Sequence, residues 1–415
     1  MASLVKFELK KILGRRVTQV SLAVLFVLSL LFMGLNVLQQ AAVNPVGDPP
    51  MLSGTAAIAQ QRVNAQQCAG PITDEAVAAV VGEFRTFLDE DGEVKAPYDD
   101  PDTPEGAQFR AWYHTRFQYL SLVLGPWMQG YEVPDVVAAR VSTAEPLDVY
   151  GQAAAKLAAT LADPNGRLTY TPVEQAFWLS RYDKVPKPVE YGYAGGWDDV
   201  LNCLGFLLFA MMAVVLACAP VFTAEYQQRT DAVVLATRCG KTKLPWAKVA
   251  AAVVFATVAY GLFALVIVGV PLAFFGADGA ALPVQMRSLT SAWGLTMAQT
   301  AVVGVGLGYA ALLALLAVTL LLSARLRSPM AIFAIGIAVL VAPLLVPSVQ
   351  NNVVNHLLYL LPYFVLDGTT LLGPVSYAAG PLVLDYHVAL IAVYAATVLI
   401  CVPLAARTFA HHQVA

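Results

Sequence analysis

Charge is the scarcest property of this 415-residue chain: Asp, Glu, Lys and Arg make up 13% of it, against about 25% in soluble globular domains. With 58% of residues hydrophobic, the balance argues against a water-soluble fold. Cysteine is sparse too: the five residues show no CxxC or paired spacing, and only Cys68 lies in the polar half. Neither a disulfide framework nor a structural zinc site is supported, and the five histidines form no HExxH. No charge stands at the centre of a long apolar run, which argues against an ion-coupled transporter and an intramembrane protease. Gly240-Lys241-Thr242 is not a P-loop, because Leu235 stands where the earlier glycine is required and no strand precedes it. No catalytic residue, metal or bound cofactor is expected, nor a nucleic-acid partner at a formal net charge of −3.

Apolar runs are what the chain does have. Crossing a bilayer takes about 20 residues at ~1.5 Å each, and six stretches qualify: Val17 to Leu38, Val200 to Phe222, Val249 to Phe275, a run inside Ser288 to Ala324, Pro329 to Val346, and Val388 to Ala406. We number them spans 1 to 6. Pro343 and Pro347 mark a kink or an end for span 5, since proline removes a helical hydrogen bond. The expected fold is an all-α polytopic membrane protein of six helices. It divides into residues 1–38 (an interfacial helix and span 1), a mostly helical domain at 39–199, and a five-span portion at 200–415.

Basic residues orient the set. Five (Lys6, Lys10, Lys11, Arg15, Arg16) precede span 1 and five (Arg229, Arg238, Lys241, Lys243, Lys248) lie in the 223–248 connection. Arg325, Arg327 and Arg407 fall on the same side, whereas the opposite short loops hold only Arg287. By the positive-inside rule both termini are cytoplasmic in the plasma membrane and residues 39–199 are outside. That outer segment holds 22 acids and 11 bases, a net charge of −11. The long basic flank and 22-residue run read as an uncleaved anchor rather than a signal peptide. Helix starts are written at Thr73-Asp74-Glu75, Thr103-Pro104-Glu105 and Thr171-Pro172-Val173-Glu174, and an Ala-rich helix at 147–162.

Four stretches carry the functional expectations. Val5, Leu9, Ile12 and Leu13 form one stripe of an interfacial helix. In the 223–248 connection, Glu225 and Arg229 are an i, i+4 pair, Val233, Val234 and Leu235 offer an apolar patch, and Arg238, Lys241 and Lys243 a basic turn. Gly240 suits a helix end and Pro245 the first turn of the next helix. In span 4, Gly304 and Gly308 permit close helix packing. Thr296, Gln299 and Thr300 face a translocation path or simply another helix. The apolar 350–387 connection, broken at Gly373, Pro374, Gly380 and Pro381, fits a re-entrant or interfacial pair of helices.

This layout resembles the permease subunits of type 2 ABC exporters, which carry a short amphipathic helix before six spans and a coupling helix in the first cytoplasmic connection. Glu225, Thr230, Leu235, Gly240 and Lys248 match the family's glutamate, threonine, leucine, turn and lysine, whereas Arg229 stands where a glycine often precedes the threonine. The resemblance covers residues 1–38 and 200–415, and includes re-entrant helices before the last span. It implies a homodimer or heterodimer of permeases in the lipid bilayer and a separate ABC ATPase subunit that binds ATP-Mg and docks on residues 225–243. The alternative is a membrane-anchored sensor or binding protein whose acidic outer domain recognises a ligand.

Overall fold

Five helices are long and apolar enough to cross a membrane: Arg16–Leu38, Gly195–Gln227, Leu244–Phe275, Met297–Arg325 and Tyr386–Ala410. They correspond to spans 1, 2, 3, 4 and 6, in a computed structural model that describes residues 1–45, 50–89, 93–100, 102–130, 132–141, 147–237, 239–346, 349 and 351–411. Span 5 is the exception. Its helix, Pro329–Leu345, has 17 residues and extends about 26 Å, short of a ~30 Å hydrocarbon core. Ser328 caps its start and Pro343 lies inside its last turn; Pro347 falls outside the described residues.

Span 2 begins earlier than its hydropathy indicates, at Gly195, because Gly196 lets the chain approach span 3. A Cβ there would stand 2.0 Å from the Gly276 carbonyl oxygen, and the Trp197 indole donates to the Ala277 carbonyl at 3.0 Å. Polar and apolar demands thus overlap at the domain boundary.

Between spans 1 and 2 the 39–199 segment is mostly helical, and its written caps form. Thr73, Thr103 and Thr171 accept from the N–H of Ala76, Gly106 and Glu174 to open helices Asp74–Arg85, Pro104–Leu124 and Pro172–Asp183. The Ala-rich run folds as Val149–Ala162 behind Asp148. Their inward faces, including Val77, Phe84, Leu120, Leu157 and Trp178, join one apolar core that continues into the spans. The domain is therefore seated on the bundle and not hung from it. Arg62 pairs with Asp278 and donates to the Phe275 carbonyl. Arg181 pairs with Asp385 at 2.9 Å and lies 4.0 Å from the Trp293 ring, which itself stacks on His387.

The chain is mostly helical, consistent with an all-α membrane protein, and carries three small two-stranded antiparallel sheets among the described residues. One of them falls in the 350–387 connection, expected as a pair of helices. Its first half does fold as short helices, Asn352–Tyr359, Pro362–Val365 and Gly368–Leu372. Its second half is a hairpin, Ser376–Ala379 against Leu382–Asp385, because Gly380 at φ +62° supplies the positive φ a two-residue turn needs. Irregular backbone beside apolar helices must have its carbonyls satisfied, and span 6 does this. Tyr386 and Tyr394 donate to the carbonyls of Tyr359 and Leu360, and His387 meets that of Leu371.

Candidate functional site

A proline shapes the end of the bundle opposite the 39–199 domain. Pro220 interrupts span 2 between Leu208–Cys218 and Pro220–Gln227, and the break loosens the helical pairing of the amides that follow. Ser323 of span 4 repairs it. Its Oγ accepts from the N–H groups of Phe222 and Thr223 at 3.0 and 3.3 Å and donates to the Ala219 carbonyl at 2.7 Å. Ser323 is fully buried, so Ser323→Ala strands two donors at once and should cost about 1–3 kcal/mol. Thermal unfolding of the solubilised chain measures this; an unchanged midpoint would show that helix pairing survives the proline.

Beyond the proline, helix Pro220–Gln227 ends in a Schellman turn: Thr230 N–H donates to the Glu225 carbonyl at 3.0 Å and Arg229 N–H to that of Tyr226 at 3.3 Å. Arg229 takes the left-handed conformation, φ +51°, at the position where glycine is favoured. Arg229→Gly should therefore raise stability by about 1 kcal/mol, read as a higher unfolding midpoint. A lower one would mean that the guanidinium contributes more than the strain costs.

The turn points Glu225 inward, into a cluster of four charges. Lys248 Nζ, opening span 3, lies 2.9 Å from both Glu225 Oε1 and Glu8 Oε2 and donates to the Val221 carbonyl at 3.0 Å. Lys11 Nζ lies 3.1 Å from Glu225 and 3.3 Å from Glu8. Thr230 Oγ1 donates to the remaining Glu225 oxygen at 2.8 Å. Lys248, Glu8 and Glu225 are 2%, 4% and 6% exposed. Burial opposes the Lys11 charge, but Glu8 and Glu225 outweigh it and hold its pKa above the ordinary lysine value. Two carboxylates facing two ammonium groups leave no net charge, and three separate elements are tied at one point: the N-terminal helix Ala2–Leu13, span 2 and span 3.

Several assigned roles change accordingly. Glu225 does not pair with Arg229; the Schellman turn swings Arg229 off the helix, and Lys11, Lys248 and Thr230 take the carboxylate. Glu225, Lys248 and Leu235, expected on a contact surface, are buried, as is Gly240, so they anchor the connection from within. Val233, 71% exposed on the short helix Asp231–Ala236, keeps the outward place, with Lys241 and Lys243 exposed nearby in sequence. Arg238 and the Val234 side chain lie outside the described residues. Trp246, 45% exposed beside Pro245 at the start of span 3, adds an aromatic that charge counting overlooked.

On the N-terminal helix Ile12 is buried and Leu13 exposed, and Glu8, which is not part of the expected stripe, occupies the inward face. A usable signal existed: Glu8 is the only acid before Asp48, three and four residues from Val5 and Ile12.

In span 4, Thr296 and Gln299 form a capping box, and Thr300 donates to the Thr296 carbonyl at 2.8 Å. Their polar atoms serve the helix start. Gly304 and Gly308 stand where neighbouring spans come close: a Cβ would lie 2.5 Å from Leu204 of span 2 and 3.1 Å from Leu371 at Gly304, and 2.6 Å from the Tyr260 hydroxyl of span 3 and 2.7 Å from Leu366 at Gly308. No cluster of three or more potential metal ligands occurs among the described residues. Comparison with protein-family models, with curated proteins and with solved structures finds no match to this chain.

Proposed function

We propose that this protein is the permease subunit of a type 2 ABC exporter. In this reading Pro329–Leu345 also crosses the membrane, as span 5 of six, the charge-cluster end is cytoplasmic, and the acidic 39–199 domain lies outside the plasma membrane. The observation that carries it is mechanical: an outward-facing short helix, with Val233 71% exposed, is joined through its Schellman turn to a four-charge cluster, three of its members buried, that binds three elements of the bundle. Force applied at Val233 and the neighbouring lysines is delivered to spans 2 and 3 without slack. A separate ATPase subunit, holding ATP-Mg, supplies that force, and two permease copies, alike or different, complete the transporter. The basic count around the connection also favours the cytoplasmic side for it.

The test is purification of the tagged full chain from its native membrane. A Walker-bearing ATPase should co-purify in stoichiometric amount, with ATP hydrolysis that responds to the permease. Recovery of none, with export unaffected by loss of any cellular ATPase, overturns the reading.

A further inference from the structure

A cavity of about 480 Å³ opens where the 39–199 domain meets the spans, between Gln61, Phe117 and Gln118 on one wall and Asp198, Asp199 and Asn202 on the other. That volume lies in the range of about 300–1,000 Å³ typical of small-molecule sites. The charges on its walls do not balance. Arg287 pairs with Asp198 at 2.8 Å and spends its remaining reach on the Asp198 carbonyl and Asn202. Arg62 is committed to Asp278. Asp199 is left with neutral partners: the Asn36 amide donates to its two oxygens at 2.9 and 2.8 Å, and the Cys203 thiol lies 3.8 Å away. Among the described residues no lysine, arginine or histidine forms an ion pair with it.

Asp199 is nevertheless only 7% exposed. A buried carboxylate without a counter-charge is costly, and here it borders an open cavity that also carries the carboxamides of Gln61, Gln118 and Asn202 and the mutually paired Arg287 and Asp198, with an apolar surface that is partly aromatic, Phe117 and Tyr191 included. An ammonium group entering the cavity meets an anion that the fold has left unneutralised, aromatic faces that favour cations, and amides able to bond a ligand's own polar groups. Acidic surroundings, −11 over the 39–199 segment, raise the local concentration of such a ligand.

We infer that this cavity is a binding site for an organic ammonium compound of polyamine or short cationic-peptide size, held by the Asp199 carboxylate. The inference goes beyond the permease reading and does not depend on it, because binding is measured on the chain alone, with no ATPase present.

The experiment titrates spermidine and lysyl-lysine amide into the solubilised full chain, with their fully N-acetylated, neutral analogues and succinate as comparisons, by calorimetry and by thermal shift. At least one of the two cations should bind and raise the unfolding midpoint, while the neutral and anionic compounds do not. Asp199→Asn, which preserves shape, should weaken binding about tenfold or more. Gln118 is exposed, so Gln118→Arg adds a positive rim without touching the core. It should weaken the cation several-fold while the ligand-free midpoint stays put, which keeps the test decisive if Asp199→Asn fails to fold. No binding of either cation at millimolar concentration, or binding indifferent to Gln118→Arg, overturns the inference.

Discussion

Lys248→Met lowers the stability of the solubilised chain by about 3–5 kcal/mol, the cost of leaving a buried charge without its partner. The geometry puts this substitution at the upper end. Lys248 is the shared cation between Glu8 and Glu225, 2.9 Å from each, and its removal exposes two nearly buried carboxylates to one another. Lys11 does not replace it, because its side chain is 38% exposed and already lies against the same two acids. The Val221 carbonyl loses its donor as well.

Removing the opposing charges should recover much of the loss. Adding Glu225→Gln and Glu8→Gln to Lys248→Met leaves no uncompensated buried anion and only the part-exposed Lys11 charge, and neutral replacement of buried ion pairs is often close to neutral. The non-additivity between Lys248→Met and Glu225→Gln, in contact, is expected in the 0.5–3 kcal/mol range, roughly, of coupled neighbours. Thermal and denaturant unfolding of the four variants reads it. A loss under about 1 kcal/mol for Lys248→Met would show a hydrated, loosely held cluster and would remove the rigid link on which the proposed delivery of force to spans 2 and 3 depends.

What the sequence discloses and what it hides divide along one physical line, the distance in the chain over which an interaction acts. Capping is local, so Thr73, Thr103 and Thr171 mark their helices from three or four letters. Hydropathy is nearly as local, which is why five spans appear where the apolar runs lie. Local rules fail where a distant partner is stronger. The i, i+4 spacing pairs Glu225 with Arg229, yet a lysine 23 residues on and another 214 residues back take that carboxylate. Leu235 reads as part of an exposed patch because nothing nearby tells which face the fold covers. Thr296 and Gln299 are the opposite case: Thr-Met-Ala-Gln is a capping-box spacing, legible from the letters but overshadowed by the search for polar groups in a membrane. The hairpin at 376–385 escapes because its short strands carry little alternation, and only Gly380 at the turn betrays it.

Val233→Asp is the counterpart of Lys248→Met, and the two together separate docking from folding. Val233 is 71% exposed, so a charge there is solvated and should leave stability within about 0.5 kcal/mol of the parent. A carboxylate set into an apolar pocket on a partner is desolvated without a counter-charge, a loss on the order of 2–4 kcal/mol at a central contact. That corresponds to about 30- to 1,000-fold in affinity. On the proposed permease reading, the expected phenotype is a well-folded, membrane-inserted chain that no longer retains the ATPase and no longer couples its hydrolysis to transport. Lys241→Glu with Lys243→Glu should act more weakly and chiefly on association rate and salt dependence, as rim charges do. The discriminating measurement is retained ATPase per folded permease after affinity purification, alongside the unfolding midpoint. Undiminished retention with Val233→Asp would detach the short helix from the docking role. A fall in retention matched by a fall in midpoint would assign Val233 to the fold, against its exposure. Only loss of retention at constant midpoint fits a surface that transmits force through Glu225 into spans already held rigid by Glu8, Lys11 and Lys248.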